Sequence, residues 1–180
     1  MAELIPRRPV PTFVVPTTTG DTWSIGERRP ESFSMIVVYR GLHCPICSGY
    51  LKDLDNKLEA FASRGVDVIA VSSDPAERAD AAKRDWKLDN LTLGYGLGLD
   101  TARAWGLFIS AGIGTTSQGV EEPAHFPEPG LFLVKPDGSL YFASVQSMPF
   151  ARPGFADVLK AVDFVLQKNY PARGEVAEAA

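Results

Sequence analysis

Residues 33–39 form an apolar run, with Met35-Ile36-Val37-Val38 at its centre, that lacks the polar–apolar alternation of a half-exposed strand. Its shortness and β-branching predict a strand over residues 32–40, and its lack of a polar face predicts cover on both sides of the sheet. The chain then turns through Gly41-Leu42-His43-Cys44-Pro45-Ile46-Cys47 and enters a stretch where Cys47, Leu51, Leu54, Leu58 and Phe61 recur at helical spacing. Lys52, Asp53, Asp55 and Lys57 face elsewhere on that helix, and Gly65 stops it. Pro45 suits the first helical position, where its missing N–H has no partner to lose. A doubly covered strand running straight into a helix restricts the chain to a layered α/β architecture.

The flanking sequence fills in the layers. Residues 1–11 are Pro- and Arg-rich and are expected to lie extended over the surface, while 12–15 and 21–25, separated by Thr19-Gly20, read as a hairpin. Residues 66–71 are a second buried strand. Asp74-Pro75-Ala76-Glu77 then offers an N-cap, a proline at the first position and an acid three after the cap, opening a helix that should run to about Lys87. Leu91-Thr92-Leu93 reads as a short strand, and Asp100 as the cap of a brief helix ending at Gly106. Residues 110–128 carry Gly112, Gly114, Gly119, Pro123 and Pro127 without periodicity, and are expected to be a lid, a partner surface or a mobile segment. Residues 129–134 and 139–143 flank the turn residues Lys135-Pro136-Asp137-Gly138 as a β-hairpin. Phe155, Val158, Leu159, Val162, Val165 and Leu166 mark a last helix that ends before Pro171, and 175–180 should fray. The expected organisation is an arm over 1–11, one domain over 12–168 and a tail over 169–180.

At 180 residues with 45% hydrophobic content, the chain is long enough for a real core. A formal charge of −4 gives no electrostatic reason to expect nucleic acid or an anionic membrane as partner. No run approaches the ~18 apolar residues of a membrane span, and the opening residues show no secretory h-region. The two cysteines, three positions apart, close too small a loop to staple a fold, so a reducing cytoplasm is the expected compartment.

Cysteines at a strand–helix junction have a chemical use. Unpaired N–H groups and the positive end of the helix dipole favour negative charge there, and such settings lower a thiol pKa from ~8.5 to between ~3.5 and ~7.5. Cys47 lies in phase with the buried stripe, whereas Cys44 precedes the first turn and is expected to be better exposed. On that reading Cys44 attacks and Cys47 displaces the adduct to close a disulfide. His43 could raise the thiolate fraction of Cys44 if its ring turns inward; a packed or solvated ring is the plainer expectation. Inert buried thiols and a zinc site are the competing readings; the chain has two Cys and two His (His43 and His125), and His43 next to Cys44 makes a tetrahedral set awkward. Gly94-Tyr95-Gly96-Leu97-Gly98 lacks the spacing and following helix of a nucleotide loop, and no metal or organic cofactor is expected. Trp23, Trp86 and Trp105 read as core.

The Tyr-Arg-Gly-x-x-Cys-Pro-x-Cys stretch, the Ala-x-x-Trp-Gly end of the 100–106 helix and the Phe-x-Val-x-x-Asp-Gly hairpin resemble the alkyl hydroperoxide reductase/thiol-specific antioxidant (peroxiredoxin-like) redoxins over about residues 10–168. The closest likeness is to the subgroup with Cys-Pro-x-Cys. The resemblance implies a thioredoxin-like three-layer sandwich with a central mixed β-sheet and an N-terminal hairpin. It also implies a peroxide or protein disulfide as substrate, a small thiol or dithiol protein as reductant, and a possible homodimer. Peroxiredoxins carry Pro-x-x-x-Thr-x-x-Cys and an arginine from a distant strand. With Cys47 in the peroxidatic place, Arg40 and Cys44 replace the Pro and Thr; with Cys44 there, Val37 and Gly41 do. Glu128-Pro129-Gly130 stands where the arginine is expected, which tilts the reading toward disulfide exchange. Arg40 or Arg152 could substitute, although a structural or solvated arginine is the plainer reading of each. Thioredoxin-like proteins place a cis proline before this strand, so Pro129 is expected to be cis and to face the cysteines. A redox-sensing module without multiple turnover, gripping a partner through 110–128, is the alternative to an enzyme.

Overall fold

The computed structural model describes residues 4–177; the first three residues of the arm and the last three of the tail, where the sequence predicts fraying, lie outside the described residues. The chain opens with the antiparallel hairpin β1 (Val14–Pro16) and β2 (Thr22–Ser24), then enters β3 (Phe33–Val38) and α1 (Pro45–Asp55). There follow α2 (Leu58–Ala62), β4 (Val66–Val71), α3 (Ala76–Asp85), β5 (Leu93–Gly94) and α4 (Leu99–Ala104). A small pair, β6 (Ile109–Ala111) and β7 (His125–Pro127), precedes β8 (Gly130–Val134), β9 (Leu140–Val145) and α5 (Phe155–Lys168). The central sheet has the order β5-β4-β3-β8-β9. β3 runs parallel to β4 and antiparallel to β8, so the sheet is mixed.

Every residue of β3 is buried, as the unalternating run predicts. Met35 and Val37 face Leu51, Leu54, Phe61, Phe155, Val158 and Val162 on the helical side. Ile36 and Val38 join Phe13, Trp23, Trp105 and Phe132 on the other, under the β1–β2 hairpin and α4. Trp105 is fully buried, with its ring 5.2 Å from Phe13 and 5.0 Å from Phe132. Truncating such an aromatic to alanine costs about 3–5 kcal/mol. Trp86 is only half-buried, packed edge-on against Tyr39 at 6.0 Å.

Two expectations are corrected by tertiary contacts. The helix expected to run from Pro45 past Phe61 is broken at Asn56 and Lys57, where Lys57 leaves helical geometry. The buried Asp55 carboxylate accepts the N–H groups of Asn90 and Leu91 at 2.9 and 2.8 Å, which ties the end of α1 to the segment before β5. Residues 110–128 are not structureless: β6 and β7 pair antiparallel with Ser110 opposite Phe126, and a further bridge joins Thr115 to Glu121. Strands of three residues interrupted by proline and glycine leave no periodicity to read.

The β8–β9 hairpin turns where expected, with Asp137 accepting the Ser139 N–H at 2.9 Å and Gly138 at φ +80°. Residues of the N-terminal arm lie along the start of β9, Arg7 N–H donating to the Leu140 carbonyl at 2.8 Å and Leu140 N–H to that of Arg8 at 2.9 Å. Among the described residues no helix is long and apolar enough to cross a membrane.

Candidate functional site

β3 delivers the chain to the site, and the loop that follows is anchored from the neighbouring strand. Tyr39 N–H still donates to the Val71 carbonyl at 3.0 Å. The chain then turns at Gly41, whose φ of +135° disfavours any other residue and whose Cα faces the Asp74 carboxylate so closely that a Cβ would lie 2.7 Å from Oδ2. The same oxygen accepts the Leu42 N–H at 2.7 Å, and Arg78 Nε lies 3.1 Å from Asp74 Oδ1. The sequence pattern makes Asp74 the cap of α3. It instead turns away to hold the loop, and Pro75 occupies the N-cap. Burial outweighs the Leu42 N–H and Arg78 and raises the Asp74 pKa above the usual carboxylate value.

Cys44 is the N-cap of α1, Pro45 follows in the first turn, and the two cysteines form a disulfide with Cα atoms 5.3 Å apart. Both are fully buried, so the expected greater exposure of Cys44 is corrected. Its side chain packs in the cluster that contains Leu51, Leu131 and Phe155 instead of pointing outward from the cap.

The arginine beside the sulfurs is Arg152, for which a structural or solvated role is the plainer expectation from sequence. Its Nη1 lies 3.4 Å from Cys47 Sγ and its guanidinium stacks 4.1 Å from the Tyr50 ring centroid. Arg40 faces a different set: Glu122 at 3.6 Å, Glu128 at 3.4 Å and the Phe126 ring at 4.6 Å. These three partners come from β7 and its flanks, so Arg40 clamps the β6–β7 hairpin beside the cysteine loop. Arg78 adds a second clamp through the Glu121 carbonyl at 3.0 Å.

His43 is packed. Its ring is fully buried, 4.6 Å from that of Phe126, and neither nitrogen has a hydrogen-bond partner among the described residues. Burial, reinforced by Arg40, lowers its pKa from 6.5 to about 4. The folded state therefore resists a proton that the unfolded chain accepts near 6.5, and stability falls as the pH drops through that window. The loss between pH 7 and pH 5 should be about 2 kcal/mol, and His43→Phe should remove it. Urea midpoints of both proteins at the two pH values check this; parallel shifts would show that His43 does not titrate as its surroundings dictate.

Pro129 is corrected: the described residues contain no cis peptide bond. Glu128 N–H donates to the Phe108 carbonyl at 2.8 Å and Gln146 N–H to that of Pro129 at 3.0 Å, which ties the trans peptide to its neighbours on either side. Pro129 is buried immediately before β8. Sequence reasoning missed Asp74, Arg78, Glu122, Glu128 and Tyr50 as neighbours of the site. Only Tyr50 had a local signal, lying one helical turn after Cys47.

The sequence model of the AhpC/TSA family matches residues 6–143. No curated protein matches the chain. Among solved structures, a cysteine-to-serine mutant of peroxiredoxin 6 from Arenicola marina superposes with a TM-score of 0.73 at 16% identity, over 93% of this chain and 76% of that one. The reduced 2-Cys peroxiredoxin of Plasmodium vivax gives 0.73 at 14% identity, over 99% of this chain and 92% of that one. A peroxiredoxin-like protein from Aquifex aeolicus gives 0.71 at 18%, over 92% and 90%. At these identities the likeness carries the fold alone: thioredoxin-like, in its peroxiredoxin form.

Proposed function

Since the chain belongs to the AhpC/TSA family of thiol-dependent oxidoreductases, we propose that it reduces hydroperoxides, with Cys47 as the attacking thiolate and Cys44 as the thiol that closes the disulfide. The observation that carries this reading is Arg152, whose Nη1 lies 3.4 Å from Cys47 Sγ. The sequence argues for disulfide exchange because no arginine stands just before β8, where Glu128-Pro129-Gly130 lies; a guanidinium arriving from beyond β9 supports the peroxide reading instead. The thiolate of Cys47 attacks the terminal peroxide oxygen, the O–O bond breaks, and the departing alkoxide takes a proton and leaves as an alcohol or water. The sulfenic acid on Cys47 then loses its oxygen as water when the Cys44 sulfur attacks, forming the disulfide. Two electrons from a small thiol or a dithiol protein reopen it, releasing the reductant as a disulfide. Of this chain's residues the cycle uses the two sulfurs and the cation; the peroxide is the oxidant and the external thiol the reductant.

Burial of the pair supports a small oxidant: both sulfurs are fully buried, so a peroxide reaches them more readily than a folded protein disulfide does. The test is steady-state consumption of hydrogen peroxide and cumene hydroperoxide with dithiothreitol as reductant, set against reduction of a model disulfide. Peroxide consumption over many turnovers, with the protein recovered as the intramolecular disulfide, is the expected result. Turnover of the disulfide substrate alone would return the reading to disulfide exchange, and a single stoichiometric reaction would favour a sensing module.

A further inference from the structure

We infer that Tyr50 is a positioning residue that holds Arg152 against the sulfur of Cys47. This rests on the reading of Arg152 as the cation that serves Cys47. Tyr50 lies three residues after Cys47 on α1, so both side chains rise from one face of the helix. Its ring lies under the Arg152 guanidinium at 4.1 Å, its hydroxyl donates to the Pro153 carbonyl at 2.8 Å, and its ring packs on Phe155 with centroids 4.3 Å apart. One side chain thus touches residues 152, 153 and 155 in succession.

The segment it touches has little else to hold it. Among the described residues, no backbone–backbone hydrogen bond outside the helices and strands involves residues 147–153, between the Gln146 contact to Pro129 and the first turn of α5. Phe150 in that segment is 73% exposed. The polar contacts described for it are the Tyr50 hydroxyl on Pro153 and the Arg152 guanidinium on Cys47. Burial lowers the pKa of Arg152 from the ordinary arginine value; Tyr50 and Glu128 oppose that shift and Arg40 adds to it, and Glu128 itself pairs with Arg40. The electron-rich face of Tyr50 is what meets this desolvated cation. Tyr50 therefore acts twice, by attracting the guanidinium and by tethering the backbone that carries it.

The test is the pH profile of iodoacetamide alkylation in a Cys44→Ser background, where Cys47 is the sole thiol. Arg152→Gln should raise the midpoint by about one pH unit or more. Tyr50→Leu should raise it comparably, and Tyr50→Leu combined with Arg152→Gln should raise it no further than Arg152→Gln alone, because Tyr50 acts through Arg152. Tyr50→Phe, which keeps the ring face and its packing on Phe155, should give a smaller rise, and it serves as the test if the leucine variant does not fold. Additive shifts, or a wild-type midpoint in both Tyr50 variants, would overturn the role of Tyr50 while leaving Arg152 in place. An unchanged midpoint in Arg152→Gln would instead remove the cation from the mechanism and overturn the underlying reading.

Discussion

Cys47→Ser is expected to abolish hydroperoxide consumption outright, whereas Cys44→Ser should complete one turnover and stop with Cys47 as a sulfenic acid. Exposure does not separate the two sulfurs, since both are fully buried. Charge does. The guanidinium of Arg152 lies 3.4 Å from Cys47 Sγ, and an opposite charge at such range lowers an acid's pKa by about 1–3 units. Burial among apolar side chains pushes a thiol the other way but acts on both sulfurs alike, so the guanidinium decides which of them gains the larger thiolate fraction. Part of that gain is offset because nucleophilicity declines with basicity. A serine hydroxyl has no comparable reaction with a peroxide, so its substitution at 47 leaves nothing to attack. Dimedone trapping followed by mass spectrometry of each variant reads the outcome directly. A trapped adduct on Cys44 in the Cys47→Ser protein, with Cys44→Ser inert, would exchange the two roles.

That assignment reverses the one suggested by the sequence, and the reason is physical. A residue just before the first helical turn ordinarily points outward, and Cys44 does occupy the N-cap. It nonetheless packs in the apolar cluster with Leu51, Leu131 and Phe155, a burial set by tertiary contacts that helical phase does not contain. The strand–helix handover, Pro45 and the Cys-x-x-Cys spacing were legible because each is local. Arg152 was not, because the contact spans 105 positions and depends on how the segment after β9 returns over α1. Arg40 illustrates the converse: an arginine is expected to pair, and it does, but its partners Glu122 and Glu128 sit beside a hairpin that no sequence pattern announced.

The same division runs through the fold. β3, β4, β8 and α5 carry enough apolar side chains in a fixed period to be read directly, and the structure places them close to where the pattern does. The β6–β7 pair has three residues in each strand, too few for periodicity, and is held by contacts made elsewhere. Phe126 packs on His43, Arg40 lies over the same ring, and Arg78 takes the Glu121 carbonyl. Likewise the break between α1 and α2 follows from Asp55 reaching the N–H groups of residues 90 and 91, a preference invisible within the helical stripe.

Asp74→Ala is expected to cost about 2–4 kcal/mol of stability and to slow the cysteine chemistry, while Asp74→Asn should cost about 1 kcal/mol. The alanine variant strips the Leu42 N–H of its 2.7 Å acceptor and leaves Arg78 without the carboxylate 3.1 Å away. Asparagine keeps an acceptor for Leu42 and loses mainly the pairing with Arg78. Because burial holds the Asp74 pKa above its ordinary value, carrying the charge already works against folding as the pH rises through that range, which is why a neutral isostere should be tolerated. The loop is positioned as well as stabilised by this contact, and misplacing reacting groups by about 1 Å can cost ~100-fold in rate. Gly41 supplies the internal control. A Cβ there would lie 2.7 Å from Asp74 Oδ2, so Gly41→Ala should be strongly destabilising alone and less so on top of Asp74→Ala, leaving only the strain of φ +135°. Urea midpoints for the four proteins measure that coupling. Strict additivity, or an Asp74→Ala cost within the ~0.5 kcal/mol of an ordinary surface change, would mean that the cysteine loop is held by something other than Asp74.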